Sequence, residues 1–197
     1  MINTAAIAAM TFAIGGISYW MPKYLTSVRG LSEAQVGTWF GAVLVVAGLA
    51  ATLAGGWLGD RLRTRFGGSY FLVSGVGMLL ACPFLLLMLK TPFPACWGVI
   101  FVAVFFLFFN TGPSNTALAN VVHPSIRATA FAVNIFLIHL FGDAPASTVL
   151  GYVADHHGWT ATFVTVTAVM ALAGVLWLIG TPHLAADTEA APRQPAA

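Results

Sequence analysis

Apolar residues run through this chain in six long blocks separated by short polar stretches. The blocks read Ile2 to Tyr24, Gln35 to Leu58, Ser69 to Leu89, Pro94 to Val122, Thr129 to Tyr152 and Thr160 to Pro182. Each is near the ~20 residues that an α-helix needs to cross ~30 Å of hydrocarbon. The pattern predicts an all-α, polytopic membrane protein in which residues 1–182 form one bundle of six transmembrane helices. The first block lacks a basic n-region and exceeds the usual apolar length of a leader, so it reads as a span rather than a signal peptide. Residues 183–197, "HLAADTEAAPRQPAA", are polar and rich in alanine and proline, and are expected to form a disordered cytoplasmic tail.

Composition agrees with the pattern. Hydrophobic residues make up 59% of the chain, charged residues 7%, and the mean hydropathy is +0.89. A soluble domain carries roughly a quarter charged residues, so that class is excluded. The net charge of +2 comes from residues scattered over loops and tail, which points to no nucleic-acid partner. Cys82 and Cys96 have neither metal-ligand spacing nor a disulfide framework. No P-loop and no HExxH set is present, so neither a cofactor, a metal nor an enzyme activity is expected.

Orientation follows from the loops. An even number of spans places both termini on one side, with Arg61, Arg63, Arg65, Arg127 and Arg193, against Lys23, Arg29 and Lys90 on the other. By the positive-inside rule the termini are cytoplasmic, in a multi-pass protein of the cell (cytoplasmic or inner) membrane. Tyr19, Trp20, Tyr24, Trp39, Tyr152 and Trp159 bracket the loops opposite, where amphipathic rings prefer to sit.

Chemistry concentrates in the fourth and fifth blocks. Asp143 is the only carboxylate inside a run of about 27 residues, Thr129 to Asp155, whose last residue is the next one; the run otherwise reads as one span, and His139 precedes Asp143 by one turn. Side chains at i and i+4 share a helix face, so an imidazole and a carboxylate stand together. An ionisable residue at bilayer depth costs several kcal/mol and turns toward a cavity or bundle interior. Counting ~1.5 Å per residue from Arg127 puts His139 about 18 Å deep and Asp143 about 24 Å deep, past the midplane. Asn134 lies on the same helix; Asn110 and Ser114 share a face of the fourth, with Asn115 adjacent. These asparagines and the serine suit either interhelical hydrogen bonds or substrate contact. The aromatic run Val99 to Phe109 suits lipid, packing or an acyl chain. Helix breaks are expected at Gly15-Gly16, Pro83, Gly112-Pro113 and Pro145.

The first inner loop, "GGWLGDRLRTR" from Gly55 to Arg65, resembles the loop signature of the major facilitator superfamily. The resemblance assigns a conformational role to Gly56, Asp60, Arg61 and Arg65. Gly56 would let helices approach, Asp60 would accept backbone or arginine hydrogen bonds, and the arginines would hold the cytoplasmic face. Arg63 stands where the family has a second glycine. The stretch from Arg127 to Asp155 looks like the eleventh helix of Spinster-type facilitators, whose eukaryotic members are associated with export of sphingosine-1-phosphate and lysophospholipids.

The resemblance implies the carboxy-terminal six-helix half of a secondary transporter. Its partner would be the missing amino-terminal half or a second copy, working among membrane lipids as a symporter or antiporter. The substrate would be an amphipathic lipid or organic anion, with Asn110, Ser114 and Asn134 holding a head group and Phe105 and Phe109 a tail. His139 and Asp143 would serve substrate or proton. A small hydrophilic metabolite or drug as substrate, or a silent membrane partner or non-functional fragment, are the alternatives.

Overall fold

We describe residues 1–191 of a computed structural model of the chain. Helix α1 spans Ile2–Ser27, α2 Glu33–Arg63, α3 Ser69–Leu87, α4 Ala95–Phe108 and α5 Thr111–Val121. A short 3₁₀ turn, Pro124–Ile126, leads to α6, Arg127–Ile138, then a π-helical turn, His139–Asp143, and α7, Ala144–Ala190. No strand occurs among the described residues.

Among the described residues five helical stretches are long and apolar enough to span a membrane, the last being Pro124–Ala190 with 67 residues. A straight helix of that length would reach about 100 Å. It does not run straight: Gly158 has φ 78 and ψ 173, a left-handed backbone favouring glycine, and the chain folds back there. Leu150 and Val166, on opposite sides of this turn, both pack over Gly16. The last stretch therefore makes two passes, and the bundle has six.

Two contacts sets define its ends. Gly68 packs on Thr181, Gly67 on Ala185 and Gly180 beside Ile2, so the start of α1, the α2–α3 loop and the end of α7 share one end. At the other, Arg29 donates to the carbonyls of Met88, Leu89 and Thr91, tying the α1–α2 loop to the loop after α3. Tyr24 packs there tilted against Trp159 and edge-on to Phe163. Lipid tails are as apolar as the helices, so close packing rather than the hydrophobic effect must hold such helices together. Trp177, Phe163, Met78 and Leu107 are buried in the bundle, whereas Val45, Val46, Leu49 and Leu53 of α2 stay exposed.

Several boundaries differ from the expectation. The α7 helix continues to Ala190, so residues 183–190 are helical rather than disordered. Leu184 is buried and Ala185 rests on Gly67, and those contacts carry the helix past the apolar block. Residues 192–197, with Arg193, lie outside the described residues. The fourth pass breaks at Phe109 and Asn110, as the glycine-proline pair predicts. In contrast α1 runs unbroken through Gly15-Gly16 and α3 through Pro83. The two glycines admit side chains from the neighbouring pass instead of breaking the helix.

Candidate functional site

Pro145 shapes the fifth pass. It has no N–H for the carbonyl of Phe141 and its ring crowds that carbonyl, so the turn before it widens. The widened turn is π-helical, with the Ala144 N–H donating to the His139 carbonyl five residues back. Turns of this kind recur at functional sites. Within it His139 Nδ1 lies 2.9 Å from Asp143 Oδ1 and 3.0 Å from Oδ2. This is the one ion pair among the described residues.

The π turn is seated closely on α1. A Cβ on Gly142 would come 2.7 Å from the Ala8 carbonyl oxygen, and one on Gly15 would come 2.5 Å from Asp143 Cβ. Gly15 is midway along α1, so Asp143 sits at mid-depth and His139 one turn toward the termini. This corrects the count from Arg127, which placed Asp143 beyond the midplane. The 3₁₀ turn before α6 and the π turn within the pass both spoil a uniform rise per residue.

The pair is open. Its side chains are 57% and 38% exposed, and with Phe136, Leu140 and Ser147 they line a groove of about 470 Å³. The Ser147 carbonyl accepts the indole N–H of Trp20, fixing the groove to α1. An exposed i,i+4 ion pair contributes about 0.3–0.5 kcal/mol, well below the several kcal/mol that an ionisable residue costs at this depth. Helix stability therefore does not account for it. Chemically the pair can accept, hold and release a proton or bind a polar group.

The other polar candidates do not join it. Asn110 is 0% exposed, Ser114 1% and Asn134 5%. Asn110 donates to the Leu107 carbonyl, and its Oδ1, like that of Asn134, has no partner. Ser114 accepts Asn3 Nδ2 on its carbonyl. These three belong to the bundle interior, and none of them lines the groove of the ion pair. Asn115 is exposed, donating to Thr111. Phe109 packs on Gly77 and lines a separate crevice with Leu58, Leu62 and Leu72, sharing no residue with the pair's groove.

The loop motif is built differently from its reading. Gly55 gives a close approach of its own: a Cβ there would collide with the Phe109 carbonyl. Gly59 likewise makes room for Tyr70 and Pro113. Gly56 itself faces open space, and Gly112 packs onto its backbone. Asp60 accepts the Tyr70 hydroxyl at 2.8 Å rather than an arginine. Arg61 lies over Trp57, while Arg63, in place of the second glycine, covers Tyr70 and donates to the Gly67 carbonyl. Arg65 is exposed.

A family model, Major Facilitator Superfamily, matches residues 2–146. This chain belongs to that superfamily. Among similar proteins, one from Arabidopsis thaliana named "Probable sphingolipid transporter spinster homolog 3" is 33% identical over 192 residues, covering 93% of this chain and 36% of the relative. A sphingosine-1-phosphate transporter from Mus musculus is 30% identical over 169 residues, covering 79% of this chain and 31% of the relative. The crystal structure of a bacterial homologue of the human lysosomal transporter Spinster, inward-facing and unoccupied, superimposes with TM-score 0.67 at 18% identity. It matches over 99% of this chain and 49% of that one. The chain thus spans about a third of the curated relatives it matches and about half of the solved structure.

For this facilitator bundle, sequence reasoning located the ion pair but missed the π turn and the roles of Gly15 and Gly55. The spacing of Phe141 to Pro145 carried the signal for the first. Nothing local marked which glycine of Gly55-Gly56 meets Phe109, because that depends on how α2 crosses the fourth pass.

Proposed function

We propose that the chain is the carboxy-terminal six-helix bundle of a Spinster-like secondary transporter that moves an amphipathic lipid or related organic anion by alternating access. The observation that carries this reading is the His139–Asp143 pair, at mid-depth, on an open face of a bundle about half the length of its solved relative. Facilitator sites lie near the midplane between two repeats. The open face then meets a second bundle, either an amino-terminal half or a second copy, and the pair lines the cavity between them. There it exchanges a proton or holds a polar head group. The transporter names of the relatives support the class, and the arginine-rich loop at the termini end supports cytoplasmic termini.

Transport is tested in proteoliposomes with a lysophospholipid and a sphingoid phosphate. The complete transporter should give saturable flux, and the chain alone should give none, because alternating access needs one bundle to rock against another. Robust saturable flux from a monomer of this chain overturns the reading. Orientation is tested by cysteine labelling: Thr64→Cys and Ser27→Cys should react from opposite faces of the membrane, and reaction of both from one face overturns it.

A further inference from the structure

The tie between the loops at the end away from the termini rests on one side chain. Arg29, half-buried in the α1–α2 loop, donates to the carbonyls of Met88 and Leu89, each at 3.2 Å, and to that of Thr91, while its guanidinium lies 5.1 Å from the Phe93 ring. These carbonyls follow the last residue of α3, where a helix has no N–H left to offer, so the planar fork of Arg29 caps α3 from another element. No carboxylate shares it. Glu33 is near in sequence, but the one ion pair among the described residues is that of His139 and Asp143. Behind Arg29 stands Pro22, inside α1. It leaves the Ser18 carbonyl without its helical donor, and a groove of about 600 Å³ between α1 and the first half of α2 leaves both residues uncovered on one side. A helix bends most readily at such a point.

We infer that Arg29 is a staple that suppresses the bend Pro22 permits, so that the last turns of α1 travel with α3 as one body. The staple lies beyond the proline, and its three carbonyl partners belong to a different part of the chain. A swing of residues 23–27 away from α3 therefore has to break the hydrogen bonds of a charged donor together, and those are about twice as strong as neutral ones. The contrast with the other charged group of the bundle is plain. His139 and Asp143 sit on an open groove with free faces, whereas the guanidinium of Arg29 is spent on backbone carbonyls and an aromatic ring. Movement at this end is thus movement of α1 and α3 together, not a hinge within α1. The inference concerns the bundle alone and stands whatever substrate the transporter carries.

Spin labels at Val28→Cys and Lys90→Cys, both exposed and one on each stapled loop, test this in the full chain in nanodiscs, with Cys82→Ser and Cys96→Ser as the background. Dipolar broadening of the frozen spectrum reads their separation. With Arg29 present the chain should show one strongly broadened component. Arg29→Ala should convert most of it to an unbroadened one, and Arg29→Lys, which keeps the charge but not the fork, should fall between the two. Pro22→Ala gives the Ser18 carbonyl back its donor, so adding it to Arg29→Ala should restore the broadened spectrum. Two components with Arg29 present, or full broadening in both Arg29 variants, overturns the staple. A double variant as unbroadened as Arg29→Ala overturns the bend at Pro22. If Arg29→Ala does not fold, Arg29→Lys with and without Pro22→Ala gives the same decision.

Discussion

The fourth and fifth passes carry the same local defect, a phenylalanine four residues before a proline: Phe109 with Pro113, and Phe141 with Pro145. In each the phenylalanine carbonyl loses its helical donor. The fourth pass resolves this by stopping α4 and starting α5, with the Phe109 carbonyl sealed against Gly55 and Asn110 buried beside it. The fifth keeps a continuous path through a π turn and presents His139 and Asp143 to an open groove. Identical backbone chemistry therefore yields a closed joint in one place and an exposed charged pair in the other. What packs over the defect decides which.

The sealed joint should be the more fragile. Gly55→Ala sets a methyl group against a backbone carbonyl that cannot swing away, and overpacking of this kind costs about 3 kcal/mol. The expected outcome is a large loss of folded, monodisperse protein on size-exclusion chromatography. Normal yield and thermal stability would show that the joint is looser than the glycine contact requires.

At the open site chemistry should fail before folding does. Asp143→Asn in the complete transporter should lower transport about tenfold or more, equivalent to about 1.4 kcal/mol, with stability close to native. His139→Ala should remove the dependence of transport on pH. Retention of pH-dependent transport in both variants would reduce the pair to a structural feature.

Exchanging the two prolines sharpens the contrast. Pro145→Ala restores a donor to Phe141 and lets the π turn relax toward α-helix, so transport should fall several-fold with little change in stability. Pro113→Ala should do the reverse, shifting thermal stability while transport per folded molecule stays unchanged. Assays of both variants in parallel check this; matching effects would break the comparison.

The smallest effect is expected inside the bundle. Asn110 Oδ1 is buried without a partner, so Asn110→Leu trades an unsatisfied acceptor for an apolar group of similar size. Such a trade is worth about 1 kcal/mol or less in either direction. Substrate affinity should not move, and a marked rise in KM would return Asn110 to the cavity wall.

How much of this was legible in the sequence follows from range. Block length and apolarity announce six passes, because a bilayer demands it of each helix separately. The same holds for His139 and Asp143, whose partnership is local at i and i+4. The reversal between the last two passes was legible as the gap from Tyr152 to Thr160, but not that one residue, Gly158, makes it inside otherwise continuous helix, since a glycine in a turn and a glycine in a membrane helix look alike. Burial of Asn110, Ser114 and Asn134 escaped too. Whether a polar residue points to a cavity or to a neighbouring helix depends on crossings between distant segments, such as Asn3 with Ser114. Gly15 illustrates the same limit: its role exists only because Asp143, far away in sequence, lands on it.

The claim that the charged pair faces a cavity while the asparagine is sealed is tested most directly by cysteine accessibility in the complete transporter. With Cys82 and Cys96 replaced, Asp143→Cys and Asn110→Cys are exposed in turn to a charged, membrane-impermeant thiol reagent. The account predicts modification at 143 and protection at 110. Protection at 143 together with modification at 110 would contradict it.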